Sequence, residues 1–92
     1  MSWDAISFVL RGKNRKAVLV SLATPKTPTI LASELHTSIP NISRTLRELR
    51  SRHLIESLTP DAHAGKLYVA TDQGKAVSQK VEEISGSGGR SQ

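Results

Sequence analysis

The side chains best suited to recognition chemistry crowd into residues 38–52, "SIPNISRTLRELRSR", where four arginines, three serines and one asparagine interleave with leucine and isoleucine. Arginine donates two parallel hydrogen bonds to the edge of guanine, and asparagine pairs with adenine in the same bidentate way. On a helix turning about 100° per residue, Leu46 and Leu49 fall within about 40° of Ile42 and define a buried side. Pro40, Arg44, Arg47 and Ser51 fall between about 140° and 200°, on the opposite side. A core-facing stripe opposed by a polar, basic row is what a helix lying in a DNA major groove requires. Groove contacts come mainly from the first half of such a helix, which selects Asn41, Ser43, Arg44 and Arg47 as readers, with Pro40 in the same row. Ser38, at the N-cap, and the amides behind it suit a phosphate.

A plainer account of the same row is an intrahelical salt-bridge ladder. Glu48 stands four residues after Arg44 and four before Arg52, and each such pair is worth only about 0.2–0.5 kcal/mol. The ladder would occupy Arg52 and Arg44 but leaves Arg47 and Arg50 without a purpose.

The charge distribution points the same way. The formal net charge is +5. From Arg11 to Arg52 the chain holds nine basic and two acidic residues, whereas the remainder holds four and six. A basic half implies a polyanionic partner, most simply double-stranded DNA, or else a solvated basic face. Outside that half, Lys66 follows a glycine turn in "DAHAGKLY", where a lysine would meet a phosphate as a point charge. Arg15 and Lys16 open a helix and are further candidates for backbone contact.

Other chemistry finds little support. There is no cysteine, and His36, His53 and His63 are too widely spaced for a short metal-ligand pair, so no metal or cofactor is expected. No nucleophile motif, phosphate-cradling glycine loop or carboxylate pair stands out, so the chain does not read as an enzyme. The longest aliphatic run, Ala17 to Val20, is far too short to span a membrane. "MSWDAISFVLRGK" does not read as a signal peptide, and a cytoplasmic protein is expected.

The elements that must position these residues follow from periodicity and punctuation. Ser2 caps a first helix running to about Arg11, with Trp3, Ile6 and Leu10 on one face and Phe8 nearly opposite. A helix apolar on most sides needs two surfaces. The second is either another copy of the chain, making Trp3, Ile6, Phe8 and Leu10 a dimer interface, or a neighbouring helix under which Phe8 folds. A second helix follows "GKN". "TPKTP" is a loop bounded by prolines, and Thr27 with Pro28 opens a short helix to about His36. The arginine-rich helix runs from Ser38 to about Arg52. "LIESL" and "KLYVA" read as strands flanking the turn 59–65, the second alternating Leu67 and Val69 against Lys66 and Tyr68. Thr71 caps a last helix through Ile84 on the stripe Val77, Val81 and Ile84. The expected fold is α+β and mostly helical: a winged helix-turn-helix with a two-stranded β-hairpin wing and a C-terminal helix. It forms one domain over residues 1–85, with 86–92 as a disordered tail.

The runs "NISRTLRELRSRHLI" and "GKLYVATDQGKAV" resemble the winged-helix transcription regulators of the MarR and ArsR type, closest to the small single-domain versions common in archaea. The resemblance covers residues 3 to 84. It implies a homodimer on double-stranded DNA, with groove contacts from Ser43, Arg44 and Arg47 and a wing contact from Lys66. The family usually has glycine where this chain has His53, and often where it has His36. The rival reading is a winged-helix protein–protein interaction module that does not bind DNA.

Overall fold

The computed structural model describes residues 3–12, 14–59 and 66–90, with side chains as far as Ile84. The elements run α1 (Trp3–Arg11), α2 (Arg15–Ser21), α3 (Pro28–Glu34), α4 (Ile39–Ser51), β1 (Ile55–Ser57), β2 (Tyr68–Ala70) and α5 (Asp72–Arg90). The strands pair antiparallel, with Ile55 opposite Ala70 and Ser57 opposite Tyr68. This is the winged helix-turn-helix expected from the sequence. Ser2 and the turn at 60–65 lie outside the described residues.

The helix starts follow local chemistry. Thr27 Oγ1 accepts from the Ile30 amide at 3.3 Å, with Pro28 in the first turn of α3. Ser38 Oγ accepts from the Asn41 amide at 3.2 Å, again with a proline in the first turn. Each hydroxyl satisfies an amide that the helix itself cannot.

Two helix ends are closed by histidines. His36 and His53 adopt left-handed backbone conformations, with φ of 55° and 61°. At the end of α3 the amides of His36 and Thr37 turn back to the carbonyls of Ser33 and Ala32. At the end of α4 the amides of His53 and Leu54 reach the carbonyls of Arg50 and Leu49 in the same pattern. Both are Schellman closures, whose left-handed position glycine fills without steric cost and histidine only at a penalty.

One core joins all the helices. Val9 from α1, Val18 and Leu19 from α2, Leu31 from α3, Ile42 and Leu49 from α4, and Val77 and Val81 from α5 are fully buried in it, with Leu22 and Leu54 from the connections. The anticipated faces need three corrections. In α1 the buried side is Ala5, Ile6, Phe8 and Val9, while Trp3 is 67% and Leu10 41% exposed. The large residues at 3, 6 and 10 suggested the stripe, but Ala5 and Val9 are small enough to let α1 approach α2 and α5. In β2 the inward residues are Ala70, which is buried, and Tyr68, which packs against the core; Leu67 and Val69 are half-buried. The register there is set from outside the hairpin. Lys26, in the α2–α3 connection, exchanges two 2.9 Å backbone bonds with Tyr68, and the Ala70 amide bonds to the Leu22 carbonyl. In α5, Ile84 is exposed rather than part of the buried stripe, and the helical backbone continues past it to Arg90.

Helix α5 is fastened to the end of α4. The Thr71 amide bonds to the Leu54 carbonyl, and Thr71 Oγ1 donates to the His53 carbonyl while accepting from the Gly74 amide. Gly74 is buried there, and a Cβ on it would overlap the Leu54 carbonyl oxygen.

Candidate nucleic-acid interface

The α4 helix presents the arrangement that its spacing predicts. Ile42, Leu46 and Leu49 are buried, joined by Thr45, whereas Pro40, Arg44, Arg47, Arg50 and Ser51 are exposed. Among the described residues neither Arg47 nor Arg50 meets a carboxylate. These guanidiniums are therefore solvated donors on one exposed flank. Ser43, Arg47 and Arg50 border a recess of about 200 Å³ shared with Pro28 and Tyr68, so this flank faces the hairpin.

Arg44 is held differently. Its Nη2 donates to Asn41 Oδ1 at 3.4 Å, while Asn41 Nδ2 donates to Thr37 Oγ1 at 3.2 Å. Asn41 is thus half-buried and braces Arg44 from below, engaged at both ends of its amide. The start of α4 offers a phosphate less than the sequence suggests. Pro40 has no N–H and the Asn41 amide is taken by Ser38, leaving the Ser38 hydroxyl and the amides of Ser38 and Ile39.

Arg15 is engaged inside the protein. Its Nε lies 3.0 Å from Glu48 Oε1, and its Nη1 donates to the Phe8 carbonyl at 2.7 Å. Its guanidinium also sits 3.9 Å from the centroid of the Phe8 ring, whose centroid is 4.2 Å from the Arg52 guanidinium. Two consequences follow for Arg15. It is committed to partners within the fold, and it takes the carboxylate that an intrahelical ladder would have shared between Arg44 and Arg52. Phe8 lies beneath these two guanidiniums and is 8% exposed, and Ile6 is 2% exposed. Neither contributes to an outer surface, and the exposed part of α1's expected dimer face is Trp3 and Leu10.

Lys16 lines a recess with Val20, Leu35 and Glu82 and does not join the α4 row. Lys66 is half-exposed at the turn end of the hairpin, next to the segment outside the described residues. Sequence reasoning missed Arg50, Tyr68 and the Arg15–Glu48 pair as parts of this face. Arg50 lies at about 80° from Ile42, closer to the buried side than the row does. The other two depend on contacts between elements distant in sequence.

A hairpin wing behind a helix-turn-helix whose second helix is basic on its outer side defines the class: a winged helix-turn-helix domain with the fold of MarR-family regulators. Superposition on solved structures agrees. A MarR-family transcription regulator, SP03579, matches with a TM-score of 0.72 at 26% identity, over 88% of this chain and 58% of that one. A MarR-family regulator from Rhodococcus sp. RHA1 gives 0.70 at 21%, over 87% and 62%. Lactococcus lactis ZitR, solved in complex with DNA, gives 0.66 at 21%, over 74% and 48%. The chain therefore spans between about half and three-fifths of these neighbours' length. It belongs to the HVO_A0261 N-terminal domain family, whose model matches residues 3–91. No curated protein matches the chain. Among the described residues no helix is long and apolar enough to cross a membrane.

Proposed function

We propose that this protein binds double-stranded DNA with α4 in the major groove and the hairpin against the backbone, and regulates transcription. The observation that carries the reading is the outer side of α4. Arg44, Arg47 and Arg50 are exposed on a helix whose opposite side is anchored in the core, which gives rigid presentation and free donors together. Arg44 and Arg47, with Ser43, are the base readers. Lys66 and the Ser38 hydroxyl bind phosphate, fixing register without reading sequence. The likeness to ZitR, which was solved with DNA, supports the same reading.

Trp3 and Leu10 form the exposed apolar side of α1 and associate with a second copy of the chain. A twofold dimer then meets two half-sites about one helical turn apart.

The test is fluorescence anisotropy with a labelled duplex at two salt concentrations, for the wild type and for Arg44→Ala/Arg47→Ala. Binding that falls with salt, and falls further in the folded variant, is the expected result. A folded wild type that does not bind duplex at low salt overturns the reading in favour of a protein-binding module.

A further inference from the structure

We infer that Arg15 is a positioning residue for DNA reading: it holds Glu48 away from Arg44 and ties α4 to α1, without itself touching DNA. The inference rests on the DNA-binding role proposed for α4. It starts from a competition. Glu48 is the lone carboxylate of α4, and Arg44, Arg52 and Arg15 all stand within reach of its side chain by helical spacing or by packing. On a regular helix Arg44 and Arg52 each stand four residues from Glu48, Arg52 in the better orientation. Arg52 lies over the Phe8 ring at 4.2 Å, so Arg44 is the partner open to capture. That pairing would draw a reading guanidinium off the outer row and set a carboxylate beside the phosphates.

Arg15 wins because it is already fixed in place. Its Nη1 donates to the Phe8 carbonyl at 2.7 Å and its Cζ lies over the Phe8 ring at 3.9 Å from the centroid, so little freedom is left to lose when Nε reaches Glu48 at 3.0 Å. The Arg15 side chain is 20% and that of Glu48 36% exposed, so the pair is partly shielded from water. Arg44 is left to Asn41, a neutral partner at 3.4 Å that a DNA base can replace. The fold also makes room for the latch. A Cβ on Gly12 would overlap Cγ, Cδ and Nε of Arg15, so Gly12 is the residue that lets this side chain lie where it does. Arg52, one turn beyond Glu48 on the same side, lies 4.2 Å from the same ring. Phe8 therefore joins α1 to the recognition helix through two guanidiniums.

A double-mutant cycle decides the matter. Duplex affinity is measured by fluorescence anisotropy for wild type, Arg15→Ala, Glu48→Gln and the double variant, each checked for folding by circular dichroism. Arg15→Ala is expected to weaken binding about tenfold. With glutamine at 48, the same change is expected to cost less than about twofold, because no carboxylate remains to capture Arg44. Gly12→Ala, which keeps every charge but displaces Arg15, is expected to weaken binding in the same Glu48-dependent way, and it carries the test if Arg15→Ala does not fold. A phosphate contact by Arg15 would instead cost the same with either residue at 48. That result, with Gly12→Ala binding as the wild type does, overturns the inference while leaving the DNA reading intact. A folded wild type that fails to bind duplex overturns both.

Discussion

At the scale of single residues, the exposed cations of α4 and the hairpin differ in what each can do, and their variants should separate accordingly. Arg47 has no partner among the described residues and is one of the base readers proposed above. Arg47→Ala is expected to cost about 1–3 kcal/mol of binding to a preferred site and to relax the base preference at one position, measured by competition among duplexes of different sequence. Lys66→Ala should act differently, weakening all duplexes alike and lowering the slope of log K against log salt by about one. Asn41 differs from the proposed readers. Its amide is held by Thr37 and Arg44, so pairing with adenine requires those bonds to be exchanged.

At the scale of elements, the ends of helices carry the strain and the closest packing. His53 ends α4 with φ 61°, a conformation that costs a side chain with a Cβ about 1–2 kcal/mol relative to glycine. His53→Gly keeps both backbone bonds of the closure and is expected to raise stability by about 1 kcal/mol, or Tm by roughly 5 °C, read by thermal or denaturant unfolding. Gly74 is the converse case. Its missing Cβ lets the first turn of α5 lie against the Leu54 carbonyl. Gly74→Ala should therefore cost about 2 kcal/mol by overpacking, despite alanine's better helix propensity, and the same unfolding measurement checks it.

At the scale of the whole molecule, the exposed apolar residues are the surface through which copies are proposed to associate. Trp3 and Leu10 lie on α1 outside the core. Trp3→Asp/Leu10→Asp is expected to shift the protein from dimer to monomer in sedimentation equilibrium while leaving its helical circular dichroism unchanged. A variant that remains dimeric would move the association surface elsewhere. Beyond Ile84 the sequence holds no apolar residue, so residues 86–92 have nothing to bury against the core. Removing them should leave Tm within about 2 °C of the full chain, since stability follows buried apolar surface.

Much of this was legible from local chemistry. The caps at Thr27, Ser38 and Thr71, the prolines beside them, and the opposed faces of α4 depend on residues within one or two turns, so sequence alone determined those helices and the outward row of arginines. The unusual backbone at His36 and His53 could be anticipated too, from the resemblance of this chain to proteins with glycine there. What tertiary structure decided was everything that depends on which distant groups meet. Spacing alone offered Glu48 to Arg44 and Arg52, but packing gave it to Arg15, thirty-three positions away. Periodicity offered Trp3 and Leu10 as partners of Ile6, but α2 and α5 accepted the smaller Ala5 and Val9. Alternation in β2 offered Leu67 and Val69, but Ala70 and Tyr68, bonded to Leu22 and Lys26, are the residues turned to the core. The physical reason is common to all three: helical and strand periods say which residues share a side, but only the competition for burial and for partners says which side, and which partner, wins.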